Sequence, residues 1–261
     1  MHFQDKVILI VGASSGMGRA LAKRLAGDGA IVFATARRQE LLDQLAQEIA
    51  LAGGQCAVHA ADAMDPDAAA AVVRDCVGRY GRIDLVVLNA GGAPALDMRT
   101  MEARDVTAYM RSNYDVAVNY LFPVLHQMRR QRAGMVALTN SLAGLLGVPL
   151  QGPYSAAKGA LRLLIDTCRI EFARDGIRFV SVYPGFVGTA VTKNDGMPAP
   201  LEISEECAVD HILHALRREL PDYMFPWPMR WLMRLALCLP KRVTNWILQR
   251  EVPAEPAPRH P

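Results

Sequence analysis

Tyr154 and Lys158 stand four residues apart in the stretch Tyr-Ser-Ala-Ala-Lys. On an α-helix, positions i and i+4 share a face, so the phenol and the ammonium would lie side by side. A free phenol, with a pKa of about 10, is a poor proton donor or acceptor near neutral pH. A neighbouring positive charge favours the phenolate and lowers that pKa. The pair thus has the makings of an acid–base catalyst. Taken alone it is equally an ordinary pair on a helix surface, and Ser141 upstream could merely cap a turn.

A second group of residues points to a dinucleotide. Gly12, Ala13, Ser14, Ser15, Gly16, Met17 and Gly18 join an apolar run to a helical pattern. Glycines permit a tight turn and let the backbone approach a pyrophosphate at a helix N-terminus. The loop sits at the first strand–helix junction, which is where such a site belongs. Its spacing is G-x-x-x-G-x-G, not G-x-G-x-x-G. About 20 residues further on, an NAD site carries an acid for the ribose 2′-hydroxyl. Here the chain reads Ala36-Arg37-Arg38, with no carboxylate. Guanidiniums suit a 2′-phosphate, and arginine opening a helix opposes its dipole. The sequence therefore favours NADP(H) over NAD. Asp62 is placed to accept from an adenine amino group, because Asp65, before Pro66, is the better helix cap. Asn89, Ala90 and Gly91 end a strand, where ligands sit in open α/β sheets.

Elements must bring these residues together. Six short apolar runs read as strands, at 6–12, 30–36, 55–61, 84–90, 134–140 and 177–184. Their near-continuous apolar character is that of strands covered on both faces. Helical patterns fall near 17–28, 38–52, 66–80, 100–132, 154–174 and 204–219. This alternation predicts an α/β fold, a single-domain, Rossmann-like doubly wound parallel sheet. The catalytic domain is expected over 1–221, an amphipathic extension over 222–250 and a flexible, proline-rich tail over 251–261.

Bulk composition sets limits on function. The chain has 261 residues, 51% hydrophobic and 21% charged, enough for a sizeable core. A net charge of +3 gives no ground for nucleic-acid binding. The five cysteines are scattered and odd in number, with no zinc spacing. They suggest a reducing cytoplasm and no metal. No signal peptide and no membrane span are expected.

The combined set closely resembles the short-chain dehydrogenase/reductase family. Gly12, Gly16 and Gly18, then Asp62, Asn89-Ala90-Gly91, Asn113, Ser141, Tyr154, Lys158, Pro184-Gly185 and Thr189 occur in the family's order and at its intervals. They cover about residues 5–219, and Thr-Ala-Arg-Arg looks like the NADP(H)-preferring branch. The resemblance implies a tetrad. Tyr154 would exchange the proton with the substrate oxygen. Lys158 would tune Tyr154 and bond the nicotinamide ribose. Ser141 would orient the substrate, and Asn113 would hold a water that relays protons to Lys158. Pro184, Gly185 and Thr189 would fix the carboxamide. It also implies a homodimer or homotetramer through the helices at about 104–132 and 154–174. The sequence departs from the family at Val11 and Leu88, usually threonine and asparagine. Ser15 stands where many NADP(H) members carry a second basic residue. The 2′-phosphate is thus expected mainly on Arg37, with help from Arg38 or Ser14.

The substrate end is read from composition. The loop 142–153 is almost wholly apolar, with no cation awaiting a carboxylate or phosphate. An apolar carbonyl or alcohol is expected, such as a long-chain 3-oxo lipid or a steroid-like ketone. Residues 186–200 lie where family members carry a mobile lid. The alternatives are a reductase of small soluble ketones or quinones, and a non-catalytic NADP(H)-binding sensor or scaffold.

The stretch 222–250 differs from the rest. It holds all three tryptophans, and between Asp222 and Glu251 its charges are all basic. Leu232, Leu235, Ala236 and Leu239 form a helical stripe ended by Pro240. Three roles are open: peripheral membrane contact through 226–250, a cover over the cleft, or a subunit interface.

Overall fold

The computed structural model describes residues 1–188, 199, 201–252 and 254. Strands β1 (Val7–Val11), β2 (Ile31–Ala36), β3 (Gln55–Ala60), β4 (Leu85–Leu88), β5 (Gly134–Thr139) and β6 (Ile177–Pro184) match the six apolar runs. Between them run helices α1 (Gly16–Gly27), α2 (Gln39–Leu51), α3 (Pro66–Tyr80), α4 (Ala103–Gln131) and α5 (Gly152–Glu171), with α6 (Glu205–Arg218) after β6. Two short strands, β7 (Val187–Gly188) and β8 (Ile203–Ser204), pair separately.

The main sheet has one strand more than the sequence suggests. β9 (Asp222–Phe225) adds in parallel to the edge of β6, giving the order β3-β2-β1-β4-β5-β6-β9. The boundary at 221/222 is thereby corrected: the sheet continues through Phe225. Four residues, Asp-Tyr-Met-Phe, are too short to show a period. Two helices follow, α7 (Trp227–Cys238) and α8 (Lys241–Leu248). Most of the tail from 251 onward lies outside the described residues.

Alternation along each strand builds two cores. Ile8 and Ile10 face one layer with Leu21 and Leu25 of α1, Leu42 and Leu45 of α2, and Ile212 of α6. Leu9 and Val11 face the other with Val72 of α3, Tyr120 and Val124 of α4, and Leu161 of α5. Burial on both faces explains why these strands read as continuous apolar runs. The sheet order reverses direction between β1 and β4, whose ends align as Val11 against Leu88. A crevice opens at that switch point, beyond the carboxyl ends of the strands.

Candidate active site

One cavity of about 820 Å³ runs along this edge. Of the residues singled out in the sequence, it is lined by Gly12, Ser14, Ser15, Gly16, Met17, Arg37, Arg38, Asp62, Asn89, Ala90, Gly91, Ser141, Tyr154, Lys158, Pro184 and Gly185. Gly18 and Asn113 lie just behind the wall, and Thr189 lies outside the described residues, as does most of 186–200.

The dinucleotide end is built from backbone. Gly12 has φ +87°, and a side chain there would meet the Ala90 backbone at 2.9 Å. The Gly12 and Ala13 amides donate to the Thr35 carbonyl at 2.9 and 3.1 Å, which pins the loop to β2. Gly18 packs behind it, against the Gly12 carbonyl. Ser15 occupies the N-cap of α1 without capping it by its side chain, and the first turn holds no acid. The helix N-terminus therefore keeps amides available for an anion. The Arg38 guanidinium reaches back to the hydroxyls of Ser14 and Ser15 at 2.9 and 3.0 Å. It is Arg38, more than Arg37, that closes this corner, because Arg38 opens α2 facing the glycine loop. Both arginines are exposed.

Asp65 caps α3, accepting from the amides of Asp67 and Ala68. Asp62 accepts from the Met64 amide with one oxygen, at 3.0 Å. Asn119 of α4 donates to the Ala63 carbonyl at 2.9 Å and fastens the same loop.

At the other end, Tyr154 and Lys158 share a face of α5 as their spacing requires. The Lys158 ammonium lies 5.6 Å from the centre of the Tyr154 ring. It donates to the Thr139 carbonyl at 2.8 Å and is 4% exposed. Burial pulls its pKa down to about 8. Ser141 accepts from the Ala143 amide at 3.2 Å, capping a short 3₁₀ turn over Leu142–Gly144. That leaves the Ser141 proton to be donated. Burial raises the Tyr154 pKa above its ordinary value, and the neighbouring Ser141 hydroxyl works in the opposite direction. In the protein by itself burial, not Lys158, sets the direction of the Tyr154 shift. The reason is geometric. The ammonium faces the ring and is bonded to Thr139, and it is itself desolvated by burial.

Asn113 is buried, and its oxygen accepts from the Gly92 amide at 3.1 Å. Its amide lies 3.4 Å from the Tyr109 carbonyl. The Tyr109 hydroxyl donates to the Gly92 carbonyl. Asn113 and Tyr109 thus clamp the loop after β4 beside Lys158: a side chain added at Gly91 would lie 2.8 Å from the Asn113 oxygen and 3.8 Å from the Lys158 ammonium.

Sequence reasoning missed several contributors. Asn140 is buried and bridges two of the named residues. It accepts from the Ser141 amide at 2.9 Å and donates to the Lys158 carbonyl at 3.2 Å. Gln151 donates to the carbonyls of Ala93 and Pro94. Thr139 lines the cavity with a buried hydroxyl that has no partner among the described residues. Asn140 is adjacent to Ser141, which was the one available signal.

The substrate end is apolar. Leu142, Leu146, Val148 and Pro149 line it from the loop after β5, and Met229, Leu232, Met233 and Ala236 from α7. Met233 packs with Leu142 and Tyr183 in a small third cluster. The inward face of α7 thus includes Met229 and Met233, while Leu235 is exposed, contrary to the stripe read from the sequence. α7 carries large apolar residues all round, so periodicity could not choose its face.

The glycine cradle, the open helix N-terminus and the unpartnered Thr139 hydroxyl buried in the cavity wall together fit a nicotinamide dinucleotide. Ser141, Tyr154 and Lys158 stand at the end of the same cleft, so the arrangement fits an oxidoreductase. The chain belongs to the short-chain dehydrogenase family, whose model, described as short chain dehydrogenase, matches residues 6–198. It is 32% identical over 235 residues to an uncharacterized oxidoreductase of Myxococcus xanthus, covering 90% of this chain and 93% of that one. It is 34% identical over 193 residues to 3-oxoacyl-[acyl-carrier-protein] reductase FabG of Thermotoga maritima, covering 74% and 78%. Among solved structures, an alcohol dehydrogenase from Thermococcus sibiricus complexed with 5-hydroxy-NADP is 25% identical. It superposes with a TM-score of 0.77, over 85% of this chain and 96% of that one.

Proposed function

We propose that this protein is an NADP(H)-dependent reductase of an apolar carbonyl compound, working in reverse on the corresponding alcohol. One observation carries the reading: Ser141, Tyr154 and Lys158 meet in the same cleft as the glycine loop and Arg38, beside an apolar wall. The nicotinamide, when bound, supplies or takes up the hydride. Tyr154 gives its proton to the substrate oxygen in reduction and removes it in oxidation. Ser141 donates to that oxygen or to Tyr154 and orients both. Lys158, positively charged below about pH 8, holds charge beside the phenol and is placed to bond the nicotinamide ribose. Asn113, with Tyr109, positions the loop after β4. Pro184, Gly185 and Thr189 would meet the carboxamide.

The choice of NADP(H) rests on Arg37 and Arg38, which lie with Ser14 and Ser15 where a 2′-phosphate would come. The relative from Thermococcus, with its NADP derivative, is in keeping with that choice. The substrate class rests on the wall of leucine, valine and methionine side chains, and the FabG relative makes a 3-oxo lipid a natural member of that class. Exposed Phe122, Leu163 and Ile170 on α4 and α5 support assembly into a homodimer or homotetramer through these helices.

Cofactor consumption against a carbonyl panel tests the reading. The panel runs from small soluble ketones and quinones to long-chain 3-oxo lipids and steroid ketones, with NADPH and NADH in parallel. Turnover with NADPH, rising toward the apolar end, is the expected result. Turnover confined to the soluble end would overturn the substrate class, and equal use of NADH would overturn the cofactor.

A further inference from the structure

The wall that α7 offers to the cleft has an opposite face. With the inward face assigned to Met229, Met233 and Ala236, helical geometry turns Trp227, Trp231, Arg234 and Leu235 outward. These outward residues are exposed, Trp227 by 69% and Trp231 by 51%. α8 continues the surface. Its Thr244 is buried and reaches the Ala236 carbonyl of α7 at 3.4 Å. On its outer side Val243, Trp246 and Ile247 are exposed. No other part of the described surface combines large apolar side chains so densely.

Charge accompanies the apolar surface. Arg230, Arg234, Lys241, Arg242 and Arg250 are the only charged residues between Asp222 and Glu251. The guanidiniums of Arg230 and Arg234 lie 5.9 and 5.4 Å from the Trp231 ring centre. That of Arg250 lies 3.8 Å from the Trp246 ring centre. Stacking of this kind places each cation beside an indole, so that one plane presents both. A second copy of this chain would have to bring five like charges against five more, at a cost. A bilayer rich in anionic headgroups meets the same face with apolar tails for tryptophan and phosphates for arginine. Among the described residues no helix is long and apolar enough to cross a membrane, so contact would be at the surface.

We infer that the outer face of α7 and α8 is a docking surface for an anionic lipid bilayer, which would set the apolar end of the cleft against the membrane. The docking itself rests on this surface alone. Passage of substrate from bilayer to cleft rests in addition on the function proposed above.

Flotation of the full-length protein with vesicles tests the docking without reference to turnover. Vesicles of phosphatidylcholine alone are compared with phosphatidylcholine–phosphatidylglycerol mixtures, at low and at high salt. The protein is expected to float with the anionic vesicles at low salt, with tryptophan emission shifted to shorter wavelength, and to be released by salt. The double variant Trp231→Ser, Trp246→Ser is expected to weaken binding by at least about tenfold. Arg234→Gln and Arg250→Gln should each weaken it by about fivefold. Circular dichroism verifies that these surface variants fold. Failure to float with anionic vesicles at low salt overturns the inference. So does equal flotation with neutral vesicles, or self-association that the tryptophan variants abolish in a protein that ignores lipid.

Discussion

Lys158 opposes stability at the place where the proposed reaction needs a charge. Its folded pKa, about 8, lies below the ordinary lysine value of 10.5 because burial penalises the ammonium. Between those values the unfolded chain binds the proton that the folded chain has released, so stability rises with pH through that window. Below about pH 8 both states are protonated and the full penalty applies. Lys158→Met is thus expected to stabilise the protein at pH 7 by roughly 1–2 kcal/mol, once the lost bond to Thr139 is allowed for. The gain should fade above about pH 10. Denaturant titrations at pH 7 and pH 10.5 would check it, and a loss of stability at pH 7 would contradict the burial argument. In the proposed reaction Tyr154→Phe removes the exchangeable proton and leaves the ring. Turnover should fall by about 10²–10⁴-fold, while fluorescence titration shows nicotinamide binding preserved. Turnover within a fewfold of the parent would remove Tyr154 from the mechanism.

At the scale of elements, the site depends on how closely α5 approaches the turn that carries Ser141. Gly144 sits at that approach. A side chain there would lie 2.7 Å from the Asn140 oxygen and 2.9 Å from the Lys158 Cβ. Gly144→Ala should push the turn away from α5, lowering kcat by at least about tenfold while leaving dinucleotide affinity nearly unchanged. An unchanged kcat would show that the turn is free to yield. The sequence makes much of this legible. Tyr154, Lys158 and Ser141 fall together, and the glycine loop lies where its strand and helix require. Asp65 rather than Asp62 caps α3. What was not legible has physical causes. β9 is too short to show a period. Asn140 has no signature beyond its place beside Ser141, since a buried amide is defined by partners distant in the chain. The bonds that Asn113 makes to the Gly92 amide and the Tyr109 carbonyl have no signature in the sequence either. The orientation of α7 was hidden because apolar residues surround it.

Over the whole molecule, the bulk of the packing and the proposed substrate wall occupy different places. The two large clusters cover the two faces of the sheet and include neither Met233 nor the loop after β5. Met233 belongs instead to the small cluster with Leu142 and Tyr183, at the edge where β9 delivers α7 across the cleft. A side chain lost from a large cluster would leave a cavity inside a closely packed layer and cost about 2–5 kcal/mol. At Met233 the space opens into a cleft that already exists, so the stability cost should be at the lower end of that range. The functional cost should be larger for long substrates than for short ones, because only long substrates extend as far as α7. Met233→Ala is therefore expected to raise KM for a long-chain carbonyl by about tenfold, and KM for a short ketone by much less. Steady-state kinetics on a homologous series of chain lengths would check this. A uniform rise across the series would mean that α7 holds the whole site together. A rise that grows with chain length would mean that α7 forms the specificity wall of a cleft whose chemistry lies on α5 and in the turn after β5.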